Sequence, residues 1–505
     1  RVPVILASGD SYSSSETWKG CFGSINYRPI ALASCICKTM ERMVNSRLVY
    51  YLEQNNIITE FQSGFRRQRS TMDQLVRLDT WVREGLANGQ HVVAVFFDLE
   101  KAYDTTWKYG ILSDLFNAGL RGYLPIFISR FLEGREFRVR IGNTYSDIHS
   151  QEMGVPQGSV LSVTLFSLKI NSIVSCLSSG IDCSLYVDDF LACCRSNQMR
   201  SIERQMQQFL NKLQNWADEN GFKFSQSKTV CMHFCHKRRF HPDPQLTLNK
   251  IQIPIVTETK FLGIFFDHKL SYIPHLKYLR AKCQKSMNLL RIVAHKDWGG
   301  DTQSLLKLYR CLIRSKLDYG SIIYGAARKS YICMLDPVQN QALRLCLGAF
   351  RTSPVESLQI EANEPSLALR RTRLSYLYIL KLKSNTHNPA YNNTFHPKYQ
   401  ILFQKKTKTI ATFGIRALKL VYDLSIDLST IAPYRIPSIP PWLFRLPTFC
   451  FSLVTGSKAH TVPAVLKQKF YELLSVLMAL PRSIRMGQKR GIVLLLQWFA
   501  DKPLL

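Results

Sequence analysis

Three carboxylates in this chain have the type and placing to hold divalent cations. Asp188 and Asp189 sit together in Tyr186-Val187-Asp188-Asp189, inside an otherwise apolar run from Cys183 to Cys194. Two adjacent charges in such a run ask for a compensating ligand. Oxygen-only donors suit Mg²⁺ or Mn²⁺ rather than zinc. An Asp-Asp pair alone is also what a solvated turn looks like, so a third acid is needed. Asp98 supplies it, near the end of the apolar run His91 to Leu99. Acids from separate segments can bridge two ions about 3.5–4 Å apart, which activate a hydroxyl and neutralise phosphate.

The elements that must position these acids are legible from pattern. Residues 91–99 read as a strand buried on both faces. Asp188 and Asp189 fit a hairpin tip, and adjacent strands of one sheet bring the three acids together. Ile202 to Asn220 is an amphipathic helix with Gly221 placed to end it. Between the acids lies Gly154-Val-Pro-Gln-Gly-Ser-Val-Leu-Ser162. Its glycines leave room for a bulky planar ligand such as a nucleotide, and Gln157 and Ser159 offer directional hydrogen bonds.

Bulk properties agree with a polyanionic partner. The 505 residues carry 66 Lys+Arg against 36 Asp+Glu, a net charge of +30. Residues 269–383 alone hold 20 Lys/Arg and 7 Asp/Glu. The 14 cysteines have no framework spacing and read as reduced thiols of an intracellular protein. Cys231, His233, Cys235, His236 and His241 invite a zinc reading, but their spacing matches no usual knuckle, and 231–235 alternates like a strand. No apolar stretch is long enough to span a bilayer.

With these motifs in order, the chain resembles a reverse transcriptase of the non-LTR (LINE-type) retrotransposon family from about Asn26 to Asn388. Asn26 to Arg42 and Phe61-Gln-Ser-Gly-Phe-Arg-Arg-Gln-Arg-Ser-Thr71 resemble its finger motifs, and Phe97 to Asp104 its first palm motif. Gly154 to Ser162 resembles its template and nucleotide loop, and Tyr186 to Asp189 its catalytic hairpin. Gly221-Phe222 with Ser227-Lys228-Thr229, and Phe261-Leu262-Gly263-Ile264, resemble the next palm motif and the primer grip.

The resemblance implies an α+β right-hand polymerase with fingers, a palm built on a small antiparallel sheet, and a helical thumb. Fingers and palm occupy 25–267, the thumb 268–345 and a basic helical extension 346–388. It implies RNA-templated DNA synthesis with Mg²⁺ or Mn²⁺ held by Asp98, Asp188, Asp189 and the Leu99 carbonyl. Arg66 and Arg69 would clamp the triphosphate. Tyr103 would exclude a 2′-hydroxyl, Gln157 and Gly158 would contact the nucleotide, and Lys228 would protonate pyrophosphate. Asp104 is read as structural. Partners would be RNA template, DNA primer or target, and dNTPs, with a separate endonuclease. The setting would be nuclear and cytoplasmic, away from membranes. The second reading is an impaired remnant that only binds RNA.

Two departures fall inside the motifs, Gln68 for the family's glycine and Val163 for its proline. Residues 1–24 read as a poorly patterned remnant and 389–505 as loosely structured. One possible coding of Ser483 to Lys489, read two bases on, spells the Tyr-Thr-Asp-Gly-Ser-Lys that opens an RNase H domain in relatives. A frameshift in a truncated genomic copy is the expectation there.

Overall fold

In a computed structural model, residues 4–9 and 27–443 are described, apart from 142, 237–241, 296 and 407–408, together with residue 468. The possible out-of-frame segment 483–505 lies outside the described residues. The chain divides into two units, 1–434 and 435–505.

The first unit is organised on a four-stranded antiparallel sheet. Its order is Ile181–Tyr186, Asp189–Ser196, His91–Phe97, Val230–Phe234. The His91–Phe97 strand is central and buried at all seven residues. Its uninterrupted apolar run follows from having both faces covered. Val93, Val95 and Phe97 pack with the Met199–Asn220 helix. Val92, Ala94 and Phe96 pack toward the Thr71–Ala87 helix and the helices beyond residue 272. The Met199–Asn220 helix buries Ile202, Met206, Phe209, Leu213 and Trp216, and Gly221 ends it in the left-handed region at φ 73°.

On the fingers side, Cys35–Gln54 and Thr71–Ala87 are helices. The second opens with a capping box, in which Ser70 N donates to Asp73 Oδ2 at 2.6 Å. A further sheet pairs Tyr27–Leu32 with Val4–Gly9, which runs parallel to Glu136–Ile141. A strand inside residues 1–24 was not expected, because six residues carry too little pattern to mark one.

The thumb helices are Ile273–Val293, Thr302–Tyr309 continuing through a π turn to Asp318, and Asp336–Leu347. The extension that follows is not a separate layer. Buried Glu364 accepts from Arg310 at 2.6 Å and from Arg314 at 2.7 Å. Arg370 pairs with Asp318 at 2.7 Å. Residues 389–434 also differ from the expected loose structure. The helices Tyr391–Phe395, Gln400–Lys405 and Phe413–Asp423 stand there, and Phe413 is buried with its ring edge on Tyr378 at 5.5 Å. In the second unit, residues 435–443 carry one 3-10 turn, Pro441–Leu443. No described helix is long and apolar enough to cross a membrane.

Candidate active site

Strand register brings the acids together. Phe97 pairs with Phe190 in the antiparallel ladder. The same register carried one step on sets Asp98 level with Asp189. Asp188 is the second residue of the two-residue turn that joins the hairpin strands. Asp189 is solvent-accessible, yet enough protein surrounds it to raise its carboxyl to about 6, first by desolvation and then through the charges of Asp188 and Asp98. Its exposure tempers that shift by screening. Like charges gathered this way, all on hard oxygen donors, fit Mg²⁺ or Mn²⁺.

Around them, Lys228 Nζ lies 3.5 Å from Asp98 Oδ2, an exposed pair of little weight for stability. Leu99 buries its side chain and bridges to Phe224, while Ser225 N donates to Asp98 O at 2.7 Å. These contacts hold the backbone that turns Asp98 outward. Tyr103 is half-buried with its ring stacked on Phe166 at 4.7 Å.

The hairpin that carries Asp188 and Asp189 is held in a conformation that it would not choose alone. Val187, a β-branched residue, occupies the left-handed region at φ 61°. Buried Gln62 clamps it from the fingers loop. Val187 N donates to Gln62 Oε1 at 2.8 Å, and Gln62 Nε2 donates to Val187 O at 3.3 Å. Gly64 N donates to the same Oε1 at 2.8 Å. A Cβ on Gly64 would stand 2.3 Å from Val187 Cγ2, so only glycine admits the turn so closely. Ser63 N donates to Leu185 O at 3.0 Å, and Gln74 Nε2 donates to Phe61 O at 2.8 Å and Ser63 Oγ at 2.7 Å. Sequence reading missed Gln62, because a glutamine in a polar loop carries no signal of its burial.

Both fingers arginines are engaged within the protein. Arg66 forms a bidentate pair with Glu53, two contacts of 2.7 Å, and donates to Thr59 O at 2.6 Å. Arg69 donates to the carbonyls of Glu60, Gln62 and His387. Burial, then Arg66, lowers its pKa to about 10. As they stand, they brace the loop that carries Gln62, and phosphate contact requires their release. Gln68 in this loop sits at φ 60°, which explains glycine as the family residue there. Gln68→Gly is expected to raise stability by about 0.5–1 kcal/mol, read as a shift in urea midpoint at unchanged slope.

The nucleotide loop is also tied internally. Gln157 Nε2 donates to Asp104 Oδ1 at 3.1 Å, and Ala31 N donates to Gln157 O at 2.6 Å. Gly158, at φ 110°, would place a Cβ 2.7 Å from Ala31 O. The room read from sequence as space for a planar ligand is thus taken there by the protein's own backbone. In the primer-grip segment, Phe261 is buried with its ring edge on Phe96 at 5.5 Å. Leu262 and Gly263 form a two-residue turn at positive φ. Tyr319, which sequence reading also missed, donates to Leu262 O at 2.6 Å. Burial raises its hydroxyl pKa, the Thr71 hydrogen bond opposes that, and the Asp189 charge adds to the rise. Tyr319 therefore ties the thumb to the 261–264 turn and to the start of the Thr71–Ala87 helix.

A palm sheet with clustered acids, buttressed by fingers and faced by a helical thumb, is the right-hand fold. Residues 19–266 match the family model for reverse transcriptase (RNA-dependent DNA polymerase). Among curated relatives, a probable RNA-directed DNA polymerase from transposon BS of Drosophila melanogaster is 30% identical over 63% of this chain and 36% of its own. The RNA-directed DNA polymerase from mobile element jockey of Drosophila funebris is 26% identical over 72% of this chain and 40% of its own. The chain therefore spans 36–40% of the length of these relatives. A solved apo telomerase from Candida tropicalis aligns at TM-score 0.38 and 12% identity over 78% of this chain and 67% of that one, too loosely to weigh on the fold. Residues 19–266 thus carry a reverse transcriptase domain, and the chain is similar to the polymerases of LINE-type retrotransposons.

Proposed function

We propose that the chain is an RNA-directed DNA polymerase that extends a DNA primer with dNTPs on an RNA template by two-metal-ion nucleotidyl transfer. The observation that carries this is the register that sets Asp98 level with Asp189 beside Asp188. Asp98, Asp188, Asp189 and the Leu99 carbonyl would hold Mg²⁺ or Mn²⁺. The ions would lower the pKa of the primer 3′-hydroxyl and neutralise charge on the phosphates.

The chain's own residues do the rest. Tyr103 bars the ribose 2′ position, and its stack on Phe166 keeps the ring from yielding. Lys228, beside Asp98, is placed to give a proton to the leaving pyrophosphate. Gln157 and Gly158 would contact the nucleotide once their loop parts from Ala31 and Asp104, and Phe261, Leu262 and Gly263 would seat the primer end. Arg66 and Arg69 reach the triphosphate once the fingers loop reorganises. The basic charge serves the RNA–DNA backbone. The primer would come from a chromosomal nick made by a separate endonuclease, which places the work in the nucleus after synthesis in the cytoplasm. Incorporation of dTTP on poly(rA)–oligo(dT) with Mg²⁺ tests this reading. Tyr103→Ala is expected to let rUTP in as well, and unchanged rUTP exclusion would remove the assignment of that ring.

A pH dependence follows from Asp189. Its folded pKa of about 6 lies above the ordinary 3.8. The folded state therefore holds this proton more tightly than the unfolded chain, and the stability it confers is lost as pH rises from about 4 through 6. Mg²⁺ must displace the same proton. The Mg²⁺ concentration that half-saturates the rise in melting temperature should increase as pH falls from 7 to 5.5, and Asp189→Asn should remove that trend. A flat wild-type profile would contradict it.

A further inference from the structure

The opposite end of the palm sheet carries a second set of donors, for which polymerisation has no use. In the pairing of His91–Phe97 with Val230–Phe234, Val93 lies opposite His233. The same register carried outward sets His91 level with Cys235. Residues 91, 233 and 235 therefore share one face, the face covered by the Met199–Asn220 helix. His91 Nδ1 and His233 Nε2 are 3.0 Å apart. The ligand atoms of His91, His233 and Cys235 all lie within 4.8 Å of one another. Both histidines are buried, and Cys235 is half-buried.

The tautomer is set from behind. His233 Nδ1 stands 2.9 Å from Asp243 Oδ1. A proton on Nδ1 shared with that carboxylate leaves the Nε2 lone pair facing His91 and Cys235. A carboxylate behind an imidazole is the arrangement that orients a metal-bound histidine and raises its basicity. Zn–N bonds of about 2.0–2.1 Å at a tetrahedral angle put two ligand nitrogens about 3.3 Å apart. The observed 3.0 Å therefore needs a shift of only a few tenths of an ångström. Two imidazoles and a thiolate select zinc over the hard cations that suit the catalytic acids.

We propose that His91 Nδ1, His233 Nε2 and Cys235 Sγ bind one Zn²⁺, with Asp243 orienting His233. The ion staples the central strand to the edge strand at the sheet end remote from catalysis. Asp98 is seven residues along the strand from His91, about 23 Å at the usual rise, so the site is structural. The sequence cluster of Cys231, His233, Cys235, His236 and His241 hid it because its third ligand, His91, lies 142 positions from His233.

The test is metal analysis of the full untagged chain, purified without chelator. One equivalent of zinc is expected by mass spectrometry. Stripping with chelator should lower the melting temperature by several degrees, and Zn²⁺ should restore it. Co²⁺ added to stripped wild-type protein should give a thiolate charge-transfer band in the near ultraviolet. That band should vanish in Cys235→Ser and weaken in His91→Gln. Both variants are to be checked for wild-type far-ultraviolet dichroism. The wild-type arms stand alone if a variant fails to fold. Zinc well below one equivalent with no uptake of Zn²⁺ or Co²⁺ by stripped wild-type protein would overturn the site. So would full zinc retention in both variants.

Discussion

Asp188→Asn lowers RNA-templated primer extension by about a thousandfold or more, with no loss of fold. The substitution keeps side-chain size and removes one negative charge from a set in which Asp188 and Asp98 already push the Asp189 carboxyl upward. Relief of that repulsion should leave the metal-free melting temperature unchanged or higher and bring the Asp189 pKa down from about 6. A variant that is more stable and inactive is the signature of a group retained for chemistry at a cost in stability. Measured together, extension rate and melting temperature separate this from simple unfolding, in which both would fall.

Gly64→Ala is the second large effect, expected to lower the extension rate by about a hundredfold with little change in dNTP KM. Its added methyl would meet Val187 Cγ2 at 2.3 Å and Val187 N at 2.7 Å. The backbone of the Val187–Asp188 turn, already at φ 61° at Val187, must then shift. A displacement of about 1 Å in a reacting group is enough for a loss of that size. Gln62→Ala should act in the same direction, because it removes both hydrogen bonds to Val187 and leaves buried backbone groups without them. Gln62→Glu keeps the oxygen that accepts from Val187 N and loses the donor to Val187 O, so a partial loss is expected. Single-turnover extension at saturating dNTP reads the rate directly. Equal rates for wild type and Gly64→Ala would show that the fingers loop does not set the geometry of the hairpin.

Much of the palm was legible because its signals are local. A seven-residue apolar strand, a hairpin and an amphipathic helix each announce themselves by period. The level placing of Asp98 and Asp189 then follows from one ladder. What was not legible depends on contacts far apart in sequence. Gln62 meets Val187 across 125 positions, and nothing about a glutamine in a polar loop distinguishes a buried clamp from a solvated side chain. Arg66 reads as a phosphate ligand until Glu53, at the end of the preceding helix, is seen to fill its fork. Tyr319 and Leu262 are likewise 57 positions apart. Beyond residue 388, prolines and mixed patterning concealed a helix whose Phe413 and Ala417 find their core against helices distant in sequence, with Tyr378 among the partners. The thumb and the extension also read as two segments, because their joint, Glu364 with Arg310 and Arg314, is a buried ionic cluster rather than an apolar seam.

Extension of a labelled DNA primer on an RNA template by purified wild-type protein, with Asp188→Asn in parallel and RNA retention measured for both, separates a polymerase from an RNA-binding remnant. The structure predicts a ladder of Mg²⁺-dependent products from wild type and none from the variant, with equal RNA retention. Folded wild-type protein that retains RNA and yields no products with either Mg²⁺ or Mn²⁺ would contradict it and leave an RNA-binding remnant. Equal products from the two proteins would show that the acids at 98, 188 and 189 are not the catalytic centre.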